Sequence, residues 1–330
     1  MKSFKAYLLH KTQNKIVGSI QEMKTDQLPN NEVIISVCYS SLNYKDGLIL
    51  NGLGNLVKEY PHIPGIDYVG TVIDSNHNSF STGDWVIGTG FRVGEIRWGG
   101  YSQRVTANGN EIVHLPENMS PFQAMGLGGA GLTAAIALEA LEKQGLRPEA
   151  GEILITGACG GVGTFSTMLF AAHGYHVVAS TGRMQYRDQL INLGAKEVIE
   201  RSTLSKAKER PLKRARWAGC VDTVGGVTLS NILSSMNYGA SIASVGLAES
   251  PELKTSILPF LLRSVNIIGI DSVFYPIEKR PFLWRQLTNI VNQDCVRNIL
   301  KEADLNNLNS LGKQILRGEI FGRVVIKITD

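Results

Sequence analysis

Glu152-Ile153-Leu154-Ile155-Thr156-Gly157-Ala158-Cys159-Gly160-Gly161-Val162-Gly163 is the stretch that decides the fold. Its first part is a short apolar run, the pattern of a strand covered on both faces. A glycine turn follows, and then a helical stretch from about Val162 to His173. Strand, glycine turn and helix in this order form the setting in which such a motif cradles a pyrophosphate. Without Cβ atoms, Gly160 and Gly161 let backbone N–H groups approach the anion, and the helix N-terminus adds the positive end of its dipole. Gly163 lets the helix pack closely on the strand.

Downstream the rhythm repeats. His176 to Ser180 reads as a second buried strand, Gln185 to Leu193 as a helix ending at Gly194, and Lys196 to Ile199 as a third strand. Cys220 to Thr223, Ser241 to Val245 and Val265 to Ile270 continue the strands, with a helix at Val227 to Met236. This alternation predicts right-handed βαβ units and a parallel sheet. The second strand ends Ser180-Thr181-Gly182-Arg183, and no carboxylate follows until Asp188. A site for NAD places Asp or Glu at about this point to accept from the ribose 2′-OH. A hydroxyl and a guanidinium suit a 2′-phosphate instead, so the cofactor expected is NADPH. Arg201, after the third strand, is a further phosphate candidate. Ser202 to Arg216 holds six basic residues and one acid, a pattern more often a solvated helix face than a binding site.

Upstream the texture differs. Phe4 to Leu9, Glu32 to Tyr39, Tyr68 to Ile73, Trp85 to Gly88 and Tyr101 to Thr106 are short and rich in β-branched or aromatic residues. Turn clusters such as Leu28-Pro29-Asn30-Asn31 separate them, as in a small irregular barrel. Near Pro121 a long Ala/Leu-rich stretch, Gln123 to Lys143, begins; its part beyond the glycine-dense Gly126 to Gly131 is expected to be helical. The last apolar segment, Phe321 to Ile328, alternates like a strand and is expected to return to the first domain.

Composition sets the limits. The chain of 330 residues has 43% hydrophobic and 19% charged residues, which excludes general disorder. Its net charge of +4 is too mild to argue for nucleic acid. The four cysteines, Cys38, Cys159, Cys220 and Cys295, lie far apart. That spacing argues against a disulfide framework or cysteine-built zinc site, and for a reducing, cytoplasmic compartment. The N-terminus lacks the apolar core of a signal peptide. By eye, no apolar run approaches the roughly 18 residues of a membrane span.

Taken together, these residues resemble the medium-chain dehydrogenase/reductase superfamily over the full chain. The resemblance rests on Ser40-Ser41-Leu42-Asn43-Tyr44-Lys45-Asp46, Pro64-Gly65-Ile66-Asp67-Tyr68-Val69-Gly70, Gly83-Asp84-Trp85-Val86 and the glycine loop. Gly94-Glu95-Ile96-Arg97-Trp98-Gly99-Gly100, Trp217-Ala218-Gly219, Met236-Asn237-Tyr238-Gly239 and Pro259-Phe260-Leu261-Leu262-Arg263 point to its quinone-oxidoreductase-like branch, nearest to NADPH-dependent acrylyl-CoA reductases. The resemblance implies an α/β architecture: a GroES-like irregular β-barrel over 1–124 and 271–330, and a doubly wound parallel Rossmann sheet over 125–270. The active site is then expected in the cleft.

Zinc-dependent members carry Cys where this chain has Asn43 and His where it has Ile66, and they possess a lobe of four close cysteines missing here. Asp67 with His62 nearby is too small a donor set for zinc, which takes about three to four protein ligands; a His62–Asp67 pair reads as structural. Without a Lewis acid, the easier chemistry is hydride addition to an activated C=C, with charge collecting on a conjugated oxygen. The reaction that the resemblance implies is acrylyl-CoA to propionyl-CoA. Reduction of a quinone or small enone is the alternative, and a non-catalytic NADPH-binding sensor or RNA-binding module the second.

By the resemblance, Tyr44 lines the nicotinamide pocket as hydrogen-bond donor or ring support, and Asn43 orients ring or substrate. Cys159, Gly160, Gly161, Val162, Ser180, Thr181, Gly182, Arg183, Arg201, Leu247, Leu261 and Ser272 are the remaining cofactor candidates. Arg92 and Arg97, flanking glycines, are candidates for the phosphates of a CoA-sized substrate. Val265 to Ile270 is apolar and uncharged, an edge that must be paired or covered. A two-fold homodimer would pair it, and the following loop, Ser272 to Arg280, is the other element able to cover it.

Overall fold

The structure is a computed structural model that describes residues 3–13, 15–206, 210–291 and 294–329. Part of the basic run, at 207–209, lies outside the described residues. The chain forms two compact units, Met1–Leu132 with Ser272–Asp330, and Thr133–Asp271.

The first unit opens with an antiparallel hairpin of β1 (Ser3–Thr12) and β2 (Lys15–Lys24). β2 escapes the sequence reading because most of it is exposed and Ile16, Val17, Ile20 and Met23 keep no period of two. Pairing with β1 sustains it, with Gly18 lying against the ring of Tyr7. Then come β3 (Val33–Leu42), helix α1 (Tyr44–Leu50), β4 (Asp67–Ser75), β5 (Trp85–Thr89), β6 (Arg104–Ala107) and β7 (Ile112–His114). In β3 every second residue from Val33 to Val37 is buried, as a half-covered strand requires.

Helix α2 (Pro121–Lys143) corrects two expectations. Its glycine-dense first part is helical as well, with a break at Gly128 (φ 49°, ψ −154°). A Cβ at Gly128 would stand 2.6 Å from Asp67 Oδ2, so the break lets backbone approach a buried carboxylate. The helix is also long and apolar enough by composition to span a membrane, but 83% of its most apolar window is buried inside the protein. The scattered glycines hid this run from inspection.

The second unit holds β8 (Glu152–Ile155), α3 (Gly161–Ala172), β9 (His176–Thr181), α4 (Arg187–Asn192), β10 (Glu197–Glu200), α5 (Ser202–Ser205), β11 (Trp217–Asp222), α6 (Gly226–Leu233), β12 (Met236–Ser244), α7 (Leu258–Arg263) and β13 (Asn266–Gly269). Among the described residues the strands form one parallel sheet in the order β10-β9-β8-β11-β12-β13. This is the doubly wound order, reversing between β8 and β11. Met236, expected to end a helix, starts β12 instead: the helix stops at Leu233, and Met236 pairs with Trp217.

The chain then returns to the first unit through α8 (Arg280–Val291), α9 (Asp294–Arg297), β14 (Leu300–Asp304), α10 (Leu308–Leu316) and β15 (Arg323–Lys327). β15 runs antiparallel to β3, with Val324 opposite Leu42, so the tail completes the first unit's sheet as its alternation predicts. That sheet runs β14-β15-β3-β4-β5-β7, with β6 also on β3. Val33, Ile35, Val37, Leu42, Val324 and Ile326 share its core.

Candidate functional site

In the second unit the glycine turn sits at the C-terminal end of β8. Gly157 has φ +57°, and a Cβ there would meet Thr223 Oγ1 at 2.2 Å. At Gly163 a Cβ would lie 2.4 Å from the Gly157 carbonyl and 2.7 Å from Ala158 Cα, so helix and turn touch backbone to backbone. Gly160 caps α3 in extended conformation, and no acidic residue occupies the helix's first turn. Its first-turn amides, which have no partner within the helix, are therefore open to an anion. Cys159 is buried; its Sγ lies 3.1 Å from Thr181 Oγ1, and burial pushes its thiol pKa up.

The end of β9 gathers the predicted phosphate residues. Thr181 Oγ1 accepts from the Arg183 amide at 3.0 Å, and the Thr181 carbonyl accepts from the Arg201 amide at 2.8 Å. The Arg201 guanidinium lies beside Gly182, about where a Cβ would stand 3.1 Å away. Arg183 reaches over the ring of Tyr186 at 5.5 Å. Ser180 and Thr181 are enclosed, so the two arginines and the Gly182 backbone are what this corner presents. Arg216, from the basic run, is tied to Glu152 at 2.6 Å and Glu197 at 2.7 Å and stacks on Trp217, a structural use. Leu261 is not a core residue: it is 69% exposed on α7, and Leu247, after β12, is 59% exposed.

In the first unit, Asn43 and Tyr44 start α1. Tyr44 is exposed at the first helical position. Asn43 is engaged by protein partners. Its Nδ2 donates to Asp67 Oδ2 at 2.8 Å and to Asp46 Oδ2 at 3.1 Å, and its Oδ1 accepts from Arg323 Nη1 at 3.0 Å. The amide is spent on protein partners and acts as a capping residue, with Asp46 returning a bond from the Asn43 N–H. Asp67 also accepts from Ser41 Oγ at 2.6 Å and the Gly129 amide at 3.0 Å. Arg323 donates further to Gly126 O, Leu42 O and Ser41 Oγ. Burial, then the charge of Asp67, pushes the Asp46 pKa up to about 7.

His62 does not pair with Asp67. Its Nε2 lies 2.8 Å from the Gly94 carbonyl, and burial lowers its pKa. Arg97 is bound to Glu111 and the Phe91 carbonyl, so its guanidinium is committed within the unit. Arg92 lies 3.6 Å from Glu95, which also takes Lys45 at 2.8 Å. Ser272 belongs to this unit, and its carbonyl accepts from Arg280. Arg280, Arg323, Asp46 and Glu95 were not singled out from the sequence. The one available signal was Arg323, a charge at the head of the apolar run Val324-Val325-Ile326.

Comparison with known proteins adds to this geometry. A profile described as "Alcohol dehydrogenase GroES-like domain" matches residues 29–117, and one described as "Zinc-binding dehydrogenase" matches 161–287. Acrylyl-CoA reductase AcuI of Ruegeria pomeroyi is 44% identical over 95% of each chain. The putative quinone oxidoreductase YhfP of Bacillus subtilis is 40% identical, over 98% of this chain and 99% of its own. The YhfP crystal structure with NAD bound superposes with a TM-score of 0.95, covering 99% of this chain and 100% of that one. The yhdH oxidoreductase of Salmonella enterica in complex with NADP is 38% identical, with a TM-score of 0.96 over 98% of this chain and 100% of that one. The residues here do not fit the zinc of the profile's description. Among the described residues no three His, Cys, Asp or Glu side chains converge, and the position of interest holds Asn43, Ile66 and the buried cation Arg323 beside Asp67.

Proposed function

The chain belongs to the medium-chain dehydrogenase/reductase superfamily, and from that membership we propose that it is an NADPH-dependent reductase of activated C=C bonds, converting acrylyl-CoA to propionyl-CoA. The identity to AcuI over nearly the whole chain supports this acceptor. The observation that carries the cofactor is the corner at the end of β9, where Arg183 and Arg201 flank Gly182 and the chain from Thr181 to Arg187 offers no carboxylate. Guanidinium groups pair phosphate bidentately.

NADPH, when bound, supplies the hydride. Gly160, Gly161 and Val162 would hold its pyrophosphate on the amides of α3, and Arg183 and Arg201 would take the 2′-phosphate. Leu247, Leu261 and Ser272 would serve its nicotinamide half. Delivered to the β-carbon of an enoyl thioester, that hydride would leave charge on the thioester oxygen, and the α-carbon would take a proton from water. Tyr44 donates a hydrogen bond to the developing oxyanion; such a donor contributes on the order of 3 kcal/mol. Asn43 holds the start of α1 and so places Tyr44, without touching the acceptor. Of the two candidates for a CoA phosphate, Arg97 is held by Glu111 more closely than Arg92 is by Glu95 at 3.6 Å, which favours Arg92.

Reduction of a quinone is the second reading, supported by the similarity to YhfP. The protein is further proposed to act as a cytoplasmic homodimer. NADPH oxidation measured with acrylyl-CoA and with a simple quinone, each repeated with NADH, tests the reading. Higher kcat/KM for acrylyl-CoA with NADPH is expected. A preference for the quinone moves the assignment to the second reading, and tight NADPH binding without turnover of either overturns both.

A further inference from the structure

Arg280 opens α8 with its side chain fully enclosed. Its Nε donates to the Tyr275 carbonyl at 3.0 Å. Nη1 donates to the Thr89 carbonyl at 2.6 Å and to Thr89 Oγ1 at 3.1 Å. Nη2 donates to the carbonyls of Ser272 and Val273, both at 3.1 Å. The plane of the group also covers Phe91, with Cζ 4.3 Å from the ring centre. Only a guanidinium carries five N–H donors in a rigid fork with a face that stacks on a ring. A lysine there would reach part of this set.

The two segments it joins are both site segments. One is the strap Ser272–Tyr275. The other is the turn after β5, where Phe91 (φ 46°) and Arg92 (φ 60°) are left-handed in succession. That backbone is costly for non-glycine residues and persists only where surroundings over-determine it. The restraints are visible: the Phe91 amide donates to the Val273 carbonyl at 2.9 Å, and a Cβ at Gly90 would stand 2.7 Å from the same oxygen. A few residues on, Glu95 grips Lys45 at 2.8 Å, next to Tyr44 on α1.

We infer that Arg280 is a positioning residue for the acceptor: it clamps the Thr89–Glu95 loop to the Ser272–Tyr275 strap and, through Glu95 and Lys45, steadies the first turn of α1 that carries Tyr44. The inference rests on the reading of Tyr44 and this loop as the acceptor side of the site. A residue that merely stabilised the fold would lower all functions together, whereas a clamp acts on the acceptor and spares the glycine turn.

The test compares wild type, Arg280→Ala and Arg280→Lys as full chains, by amide hydrogen exchange, NADPH affinity and kinetics with acrylyl-CoA. In Arg280→Ala, exchange at Phe91 to Glu95 accelerates while the amides of β3 and β15 keep their protection. The KM for acrylyl-CoA rises about tenfold, more than kcat falls, and the NADPH Kd, which feels the strap only through Ser272 while the glycine turn and the two arginines are untouched, rises no more than about threefold. Methylguanidinium lowers that KM again and methylammonium does not. If Arg280→Ala does not fold, Arg280→Lys decides on the same measures. Unchanged exchange and KM in an active wild type, or kcat and NADPH binding falling in parallel, overturn the inference alone. A wild type that reduces no enoyl-CoA overturns the functional reading and this inference with it.

Discussion

The guanidinium of Arg323 lies 3.8 Å from the carboxylate of Asp67, with both side chains sealed from solvent. Residues 256 positions apart in sequence (323 minus 67) thus share one buried cluster with Ser41 and Asn43. Removing one member of such a pair strands the other charge, at a cost of about 3–5 kcal/mol. Arg323→Leu is expected to destabilise the fold by about that amount in urea denaturation. The double variant with Asp67→Leu is expected to lose less than the sum of the single losses, because the stranded charge is gone. A loss equal to that sum would remove the pairing.

Asp46 gives the cluster a pH signature. Burial first, and the charge of Asp67 second, raise its folded pKa to about 7, above an unfolded value of about 3.9. The folded state therefore keeps a proton that the unfolded chain has released. The stability contributed by this group is full below about pH 4 and is lost as pH rises through about 7, with a slope of at most about 1.4 kcal/mol per pH unit. Stability measured from pH 4 to 8 in wild type and Asp46→Asn checks this: the variant should lack that component of the fall. Parallel profiles would contradict it.

At the end of β9, Arg183→Ala and Arg201→Ala should each weaken NADPH binding by roughly one to two decades, as for loss of a charge-assisted hydrogen bond of about 1.5–3 kcal/mol. NADH binding should hardly change. Gly182→Asp should go further and invert the preference, since an added Cβ would stand 3.1 Å from the Arg201 guanidinium and its carboxylate would compete for that group with the phosphate. Equal effects on both cofactors would remove the phosphate role.

Exhaustive chelation should leave activity intact, and the purified protein should contain no stoichiometric zinc. Asn43 and Ile66 supply no metal donors of the needed type, and Arg323 places a cation beside Asp67. One tightly held zinc per chain, lost together with activity, would defeat this expectation.

Strand β13 is an edge of the parallel sheet, and no strand lies on its outer side among the described residues. Ile267 and Ile268 are partly exposed there, and Ile257, Leu261 and Leu262 are exposed on and beside α7. A second copy pairing this edge antiparallel about a two-fold axis would cover it. Light scattering from low to high micromolar concentration should give a dimer mass; a monomer throughout would remove the paired edge.

The sequence by itself determined the parallel sheet and its cofactor turn. There the information is local: β8, Gly157 to Gly163 and α3 are contiguous, and glycines are required where backbones touch, as Gly163 does against Gly157 and Ala158. The end of β9 was legible for the same reason, because Ser180 to Arg183 are neighbours in the chain, whereas it took the sheet to bring Arg201 beside Gly182. β2 was not legible, since its partner and not its own pattern sustains it. Only the tertiary structure decided what surrounds Tyr44. Asn43 meets Arg323 of β15 and Arg97 meets Glu111, partners that no local pattern announces. Arg280 found its acceptors on a loop 191 residues earlier in the chain. A charged side chain announces only its valence in sequence. Whether it faces solvent, substrate or a buried counter-charge depends on which distant backbone the fold brings within about 3 Å of it.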